Sequence, residues 1–176
     1  MGKRNLTLLT DLYELTMMNG YYLKGKTDEI AVFDVFFRRK ELITYSLAAG
    51  LEQVVDYVLG LNFGEEEIAY LKGLNIFDEG FLNYLKDLKF SGDIYSVPEG
   101  TMVFPGEPIL TVKAPVIEAQ LIETAILNII NHQTLIATKS AKVCRSAQGD
   151  NVMEFGLRRA QGPDAGIYGA RAAIIG

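Results

Sequence analysis

Apolar and polar positions change their spacing twice along this chain. In residues 45–61, 64–75 and 78–88, apolar side chains recur every three or four positions, which predicts amphipathic helices. The segment 91–115 instead has short apolar runs separated by Gly and Pro, which predicts several short strands joined by tight turns. The helical spacing returns after Pro115, and the polar "NHQT" stretch predicts a break near residue 131.

The N-terminal segment predicts one helix followed by one strand. Thr10 can cap a helix that begins at Asp11, and Gly20 is a plausible left-handed stop. Residues 29–39, "EIAVFDVFFRR", are rich in β-branched and aromatic side chains and predict a strand that ends in two arginines.

The last 26 residues predict a strand, a loop and a helix. "NVMEF" is typical of a short buried strand, and Pro163 and Asp164 suit the first positions of a helix that runs to about Ile175. Such a unit cannot close a sheet by itself, and its apolar faces need neighbours. We therefore expect the chain to be the N-terminal part of a longer protein.

Composition limits the classes of partner. Apolar residues make up 49% of the chain and charged residues 22%, and the formal net charge is −5. This balance gives no general attraction to nucleic acid or to anionic membranes, so an anion site must be local. The single cysteine, Cys144, suits a reducing compartment, and no apolar run is long enough for a signal peptide or a membrane helix. We expect a soluble, cytoplasmic protein with no nucleic-acid or membrane partner.

Two adjacent arginines are the strongest candidates for binding chemistry. Arg158 and Arg159 carry permanent charges on planar guanidinium groups that bind phosphate or carboxylate through two hydrogen bonds. Gly162 and the following helix start add backbone N–H groups. A surface pair in ordinary salt bridges is the alternative. A position at the carboxyl end of a strand favours an anionic substrate, because barrels and open sheets place their sites there.

Other candidate residues have structural interpretations that spacing alone favours. Tyr13 fits a half-buried helix position, although it could also be an aromatic surface for a flat ligand. Arg39 fits a solvated strand end, and the only histidine, His132, fits a hydrogen-bonded place in a long helix. The sequence contains no phosphate-binding glycine loop and no zinc-ligand spacing, so no metal ligands are predicted.

Several motifs together resemble a known enzyme family. "LLTDLYELTMMNGYY", "FDVFFRR", "SLAAGLEQVVDYV", "PEGTMVFPGEPILTV", "QLIETAILNIIN", "LIATKSA" and "EFGLRRAQGPDAGIYGARAAIIG" occur in this order. They resemble nicotinate phosphoribosyltransferase from about residue 6 to the last residue. The resemblance implies that nicotinate and phosphoribosyl pyrophosphate form nicotinate mononucleotide and pyrophosphate, with coupled ATP hydrolysis and Mg²⁺, in NAD salvage.

The resemblance also implies roles for five residues. The pyridine ring would lie between Phe155 and Tyr13, with the tyrosine coming from the partner subunit of a homodimer. Arg158 would hold the nicotinate carboxylate or a nearby phosphate, and Arg39 would reach phosphoribosyl pyrophosphate or the product phosphate from the partner subunit. Arg159 would bind substrate or point away into a salt bridge. The family's phosphate-accepting histidine is expected beyond the last residue, so these residues alone should be inactive.

The predicted fold is α/β. An α+β N-terminal domain with a small, mainly antiparallel sheet covers residues 1–116, and residues 117–176 form connecting helices and the first βα unit of an incomplete barrel-like phosphoribosyltransferase domain. Two alternatives stay open. One is nicotinamide phosphoribosyltransferase, and the other is a non-catalytic binding protein in which segment 91–115 is an interaction module. The lack of a lysine at the predicted hairpin tip counts against a carrier module of that kind.

Overall fold

The computed structural model describes residues 4–39 and 43–176. Within them the chain forms six helices, five strands and one 3-10 turn. In chain order these are α1 (Leu12–Leu23), β1 (Ile30–Val35), β2 (Ser46–Leu47), α2 (Leu51–Leu59), α3 (Glu65–Gly73), α4 (Glu79–Asp87), β3 (Asp93–Ser96), β4 (Met102–Val103), β5 (Leu110–Pro115), α5 (Val116–Ala147), the 3-10 turn (Leu157–Arg159) and α6 (Pro163–Ile175).

The first helix differs from its predicted bounds at both ends. Asp11, and not Thr10, occupies the N-cap position of α1, and its side chain makes no capping hydrogen bond. Gly20 lies inside the helix, which continues to Leu23, so the predicted stop is wrong. The left-handed residue after the helix is Gly25, with φ of 65°, and it supplies the backbone conformation that was expected of Gly20.

The strands form two small sheets. One has the order β1-β5-β3, and the other pairs β2 with β4 in antiparallel register, Ser46 opposite Val103. The predicted mixture of helices and small sheets is confirmed. Strand β1 ends at Val35, so Arg39 follows the strand and does not lie within it.

Strand β2 has a different neighbour on each edge. The N–H of Ala48 donates to the carbonyl of Thr101 at 2.9 Å, on the β4 side. On the other side, the N–H groups of Leu47 and Ala49 donate to the hydroxyl oxygens of Thr138 and Thr134 on α5, at 2.9 and 3.2 Å. Both edges of this short strand are therefore hydrogen bonded.

Helix α5 is continuous from Val116 to Ala147, so the predicted break near residue 131 is wrong. The polar residues that suggested it hydrogen bond away from the helix axis. Gln133 donates to Gln53 at 2.8 Å, and Thr134 donates to the carbonyl of Ala49 at 3.2 Å. Because these side chains have tertiary partners, they do not compete with the backbone bonds of their own helix.

Residues 151–155 do not form the predicted buried strand. They lack regular structure and are exposed, and none of the described residues pairs with them as a neighbouring strand. A strand needs a partner for its backbone N–H and C=O groups, which the local sequence cannot supply. The predicted helix after them is confirmed as α6, with Pro163 in its first turn.

The chain divides into two compact units, each built from three segments. The first contains Met1–Phe33, Val55–Ile94 and Val112–Ile126, and the second contains Asp34–Val54, Tyr95–Thr111 and Leu127–Gly176. The predicted division after residue 116 concerns a longer barrel protein and stays a prediction.

Each unit has its own core. The largest fully buried side chains of the first unit include Met18, Phe81, Leu85, Ile117 and Leu121. In the second unit, Ala49, Ala137 and Ala172 pack together, with Leu47, Ile136 and Ile175 against them. The three alanines come from the segment before α2, from α5 and from α6, and their small side chains let these elements approach closely.

Candidate functional site

The double arginine lies on a short 3-10 turn, Leu157–Arg159, that follows the extended residues 151–155. The N–H of Arg159 donates to the carbonyl of Gly156 at 2.7 Å, and the N–H of Gly156 donates to the Glu154 carboxylate. These bonds fold residues 154–159 into a tight local structure. Both arginines are exposed, and neither forms an ion pair within the described residues.

Two glycines determine how this turn meets helix α6. Gly162 precedes the helix with φ of 107°, a conformation that other residues adopt only with strain. Gly166, inside the first turns of α6, is so close to Leu157 that a Cβ there would lie 2.5 Å from the leucine Cδ1. Helix α6 can therefore pack directly against the turn that carries Arg158 and Arg159.

The start of α6 supplies less positive potential than the sequence suggested. Pro163 has no N–H, and Asp164 places a carboxylate in the first turn. The negative charge of Asp164 already interacts favourably with the helix dipole. The positive charge available to an anion therefore comes mainly from the two arginines.

A small cavity of about 210 Å³ lies beside the turn. Its polar lining comes from Arg159, Glu154 and His132, and the rest is Gly, Ala and Ile136. The Nε2–H of His132 donates to the carbonyl of Ala165 at 3.1 Å, since a carbonyl can only accept. This bond confirms the hydrogen-bonded placement predicted for His132.

The five predicted site residues fall into two groups. Phe155, Arg158 and Arg159 lie together around the 3-10 turn, and Phe155 is 72% exposed. Arg39 is also exposed and belongs to the same compact unit. Tyr13 lies on α1 in the other unit and is 54% exposed. Their roles toward substrate stay predictions.

A charged network in the second unit was missed from the sequence. Arg171 on α6 binds both oxygens of Glu99, at 3.0 and 2.5 Å, and its Nε and Nη2 donate to Glu52 Oε2 at 3.0 and 2.7 Å. Glu99 also accepts the N–H groups of Gly50 and Leu51 at 2.6 and 3.1 Å, where α2 begins. The hydrogen bonds from Arg171 lower the pKa of Glu99 below its usual 4.5. The same hydrogen bonds to Glu99 raise the pKa of Arg171 above its usual value.

A second network, in the first unit, surrounds Glu14. This residue is 1% exposed, and its carboxylate accepts from three hydroxyl groups. Tyr13 and Thr124 donate to Oε1 at 3.1 and 3.0 Å, and Thr10 donates to Oε2 at 3.3 Å. Glu123 lies close enough that burial, and then the charges of Glu14 and Asp11, raise its pKa.

Each network has one sequence signal that could have identified part of it. Glu14 lies four residues after Thr10, the spacing at which two helical side chains meet. Arg171 is a lone charge in the otherwise apolar "GARAAIIG", which is typical of a helix residue with a specific partner. The partners Glu99 and Thr124 are far away in sequence and could not be predicted.

The described residues contain neither a metal-binding cluster nor a helix able to span a membrane. The part of the chain that the structure describes has no group of three or more His, Cys, Asp or Glu side chains that could hold a metal ion. Among those same residues, every helix is too short or too polar to cross a lipid bilayer.

The fold matches solved structures of pyridine-nucleotide enzymes. It superposes on human nicotinic acid phosphoribosyltransferase with a TM-score of 0.85 and 34% identity, over 94% of this chain and 34% of that one. It also superposes on a nicotinate-nucleotide pyrophosphorylase from Pyrococcus furiosus with a TM-score of 0.74 and 20% identity, over 98% of this chain and 38% of that one. The second likeness concerns the fold alone.

Sequence comparison gives the family. The sequence model of the nicotinate phosphoribosyltransferase N-terminal domain matches residues 8–131. Nicotinate phosphoribosyltransferase of Bacillus subtilis is 47% identical over 174 residues, which are 98% of this chain and 35% of that protein. A Mycobacterium tuberculosis relative with the same activity in its name is 43% identical over 96% of this chain and 36% of its own. The chain belongs to the nicotinate phosphoribosyltransferase family, and it spans about a third of the length of these relatives.

Proposed function

We propose that this chain is the N-terminal part of an enzyme that transfers a phosphoribosyl group to nicotinate in NAD salvage. The observation that carries this proposal is local. In a chain of this family, two exposed arginines without ion pairs among the described residues lie three and four residues after the exposed Phe155. The substrates suit this arrangement, because nicotinate is a flat anion and phosphoribosyl pyrophosphate carries several negative charges.

In the proposed reaction, the pyridine nitrogen of nicotinate forms a bond to ribose C1. The bond from C1 to pyrophosphate breaks, and pyrophosphate leaves with the electron pair. Phe155 offers an apolar face to the pyridine ring, and the planar guanidinium of Arg158 pairs with the carboxylate or a phosphate. Arg159 lies beside the 210 Å³ cavity, and Arg39 is available for a second phosphate.

The proposal extends to groups outside the described residues. It includes ATP hydrolysis and Mg²⁺. It also includes a homodimer in which Tyr13 and Arg39 of one subunit complete the site of the other. Since the described residues contain no metal cluster, we assign no residue of this chain to Mg²⁺. A phosphate-accepting histidine would lie elsewhere in the longer enzyme, and the 176 residues alone are predicted to form no nicotinate mononucleotide.

The test is Arg158→Lys in the full-length enzyme, with nicotinate and nicotinamide compared as substrates. Lysine keeps the charge and loses the two-point fork, so kcat/KM for nicotinate should fall about tenfold to a hundredfold. The melting temperature should not change, because Arg158 is exposed and has no ion pair among the described residues. Arg145→Lys, an exposed change on α5, is the matched control.

Unchanged kinetics for Arg158→Lys together with a lower melting temperature would show a structural arginine. A wild-type enzyme that uses nicotinamide better than nicotinate would favour the nicotinamide enzyme instead.

A further inference from the structure

The surroundings of Tyr13 suggest a function for its neighbour Glu14. Tyr13 is 54% exposed, whereas Glu14, the next residue on α1, is 1% exposed. The Tyr13 hydroxyl nevertheless donates to Glu14 Oε1 at 3.1 Å. A phenol that reaches back to a buried carboxylate while its side chain stays half exposed must lie along the protein surface.

Glu14 is itself held in a fixed position. Its oxygens also accept from Thr124 on α5 at 3.0 Å and from Thr10 at 3.3 Å. The hydroxyl oxygen of Thr124 accepts the N–H of Asp11 at 3.4 Å, so α5 holds both Glu14 and the residue before α1. The carboxylate is therefore a rigid acceptor and not a mobile surface group.

A rigid acceptor reduces the freedom of the tyrosine. An untied exposed tyrosine loses side-chain entropy when a ligand orders it, whereas a ring that is already held loses less. Hydrogen bonds to an ionised carboxylate are also stronger than neutral ones. The same bond and the charge of Glu14 raise the pKa of the Tyr13 phenol above 10.0, so the phenol keeps its proton and remains a donor at neutral pH.

We propose that Glu14 is a positioning residue, which holds the Tyr13 ring in the orientation that a flat substrate ring needs. This inference rests on the proposed function, in which Tyr13 lies against the pyridine. Glu14 touches no substrate and acts only through Tyr13. The contrasting interpretation is that Tyr13 merely satisfies a buried carboxylate and contributes only to stability.

The experiment uses the full-length enzyme with Tyr13→Ala, Tyr13→Phe, Glu14→Leu, Glu14→Gln and the double variant Tyr13→Phe/Glu14→Leu. Loss of one charge-assisted hydrogen bond should raise KM for nicotinate about threefold to tenfold in Tyr13→Phe and in Glu14→Leu. The value of kcat should stay unchanged, because the lost hydrogen bond weakens substrate binding and does not alter the chemical step. The double variant should match either single change, since both remove the same bond.

Glu14→Gln provides the conservative rescue. Its amide oxygen still accepts from the tyrosine, so KM should stay within about twofold of wild type. Tyr70→Phe removes another exposed phenol, on α3, and is the matched control with unchanged kinetics. Because Tyr13→Phe leaves the carboxylate in place, it tests the bond even if Glu14→Leu fails to fold.

The outcomes separate this inference from the proposed function. A wild-type enzyme without nicotinate activity would overturn the proposed function, and this inference with it. An active enzyme in which Tyr13→Ala leaves KM unchanged would remove Tyr13 from the site and overturn the inference. If Tyr13→Ala raises KM while Tyr13→Phe and Glu14→Leu do not, Glu14 has no positioning role and the proposed function stands.

Discussion

Glu14 and Glu99 are two carboxylates withdrawn from water in different compact units, and the chain satisfies them differently. Glu99, with a side chain 21% exposed, faces a guanidinium and two backbone N–H groups. Glu14, 1% exposed, faces three hydroxyl groups. The first network compensates charge with charge, whereas the partners of Glu14 among the described residues compensate it with hydroxyl dipoles.

The two sets of donors differ in whether they require a charged acceptor. A guanidinium fork needs an anion with two equivalent oxygens, and an amide cannot replace that geometry. Hydroxyl groups can rotate, and they donate to an amide oxygen as well as to a carboxylate. We therefore expect Glu99 to be intolerant of neutral replacements and Glu14 to be tolerant of them.

The largest expected effect is that of Glu99→Ala. The change leaves Arg171 without its main partner and removes the acceptor for the N–H groups of Gly50 and Leu51. The free energy of unfolding of the full-length enzyme should fall by about 2–3 kcal/mol, as judged from charged hydrogen bonds and helix caps. Urea unfolding measures this. Glu79→Ala breaks only the exposed ion pair with Lys72 and is the control. Its urea unfolding midpoint should not change.

An intermediate effect separates the two networks directly. Glu99→Gln should lower the free energy of unfolding by about 1–2 kcal/mol, because one amide oxygen can still accept but the fork is lost. Glu14→Gln should cost under about 1 kcal/mol, because the hydroxyl donors keep an acceptor. Equal losses in the two variants, measured side by side, would contradict the distinction between charge and dipole compensation.

The smallest expected effect is a pH dependence of opposite sign in the two regions. Arg171 holds the pKa of Glu99 below 4.5, so its contribution to stability is lost as pH falls through that lowered pKa. Glu123, next to Glu14, has a raised pKa because of burial and the charges of Glu14 and Asp11. Its protonation therefore favours the folded state as pH falls from that raised pKa toward 4.5.

Melting temperatures followed against pH in Glu99→Gln and Glu123→Gln check this. The first variant should lose the decline in stability at acid pH, and the second should lose the rise in stability as pH falls from the raised pKa of Glu123 toward 4.5. If Glu123→Gln also removed the decline below pH 4.5, the two networks would not be independent.

The sequence predicted those elements whose causes are local. Helices α3 and α4 carry acids in the first turn and lysine in the last, and both formed where expected. The strand predicted at residues 151–155 failed because strand pairing depends on a distant neighbour. The break near residue 131 failed because the partners of Gln133 and Thr134 lie 80 and 85 residues away.

In the candidate site, too, residues close together in sequence could be predicted and contacts between distant residues could not. Phe155, Arg158 and Arg159 lie within five consecutive residues, so a motif could identify them together. Arg171 and Glu52 are 119 residues apart, and Glu14 and Thr124 are 110 apart. Only folding brings such pairs into contact, and a single sequence contains no signal of which distant residues will meet.

The threonines on α5 have a consequence for how β2 avoids unwanted association. Four residues of helix rise about 6 Å, close to the span of two residues along a strand, so Thr134 and Thr138 match the N–H groups of Ala49 and Leu47. The helix thus occupies the place where another strand would add to the sheet. An open strand edge is a template for aggregation, and here two side-chain hydroxyls close it without a further strand.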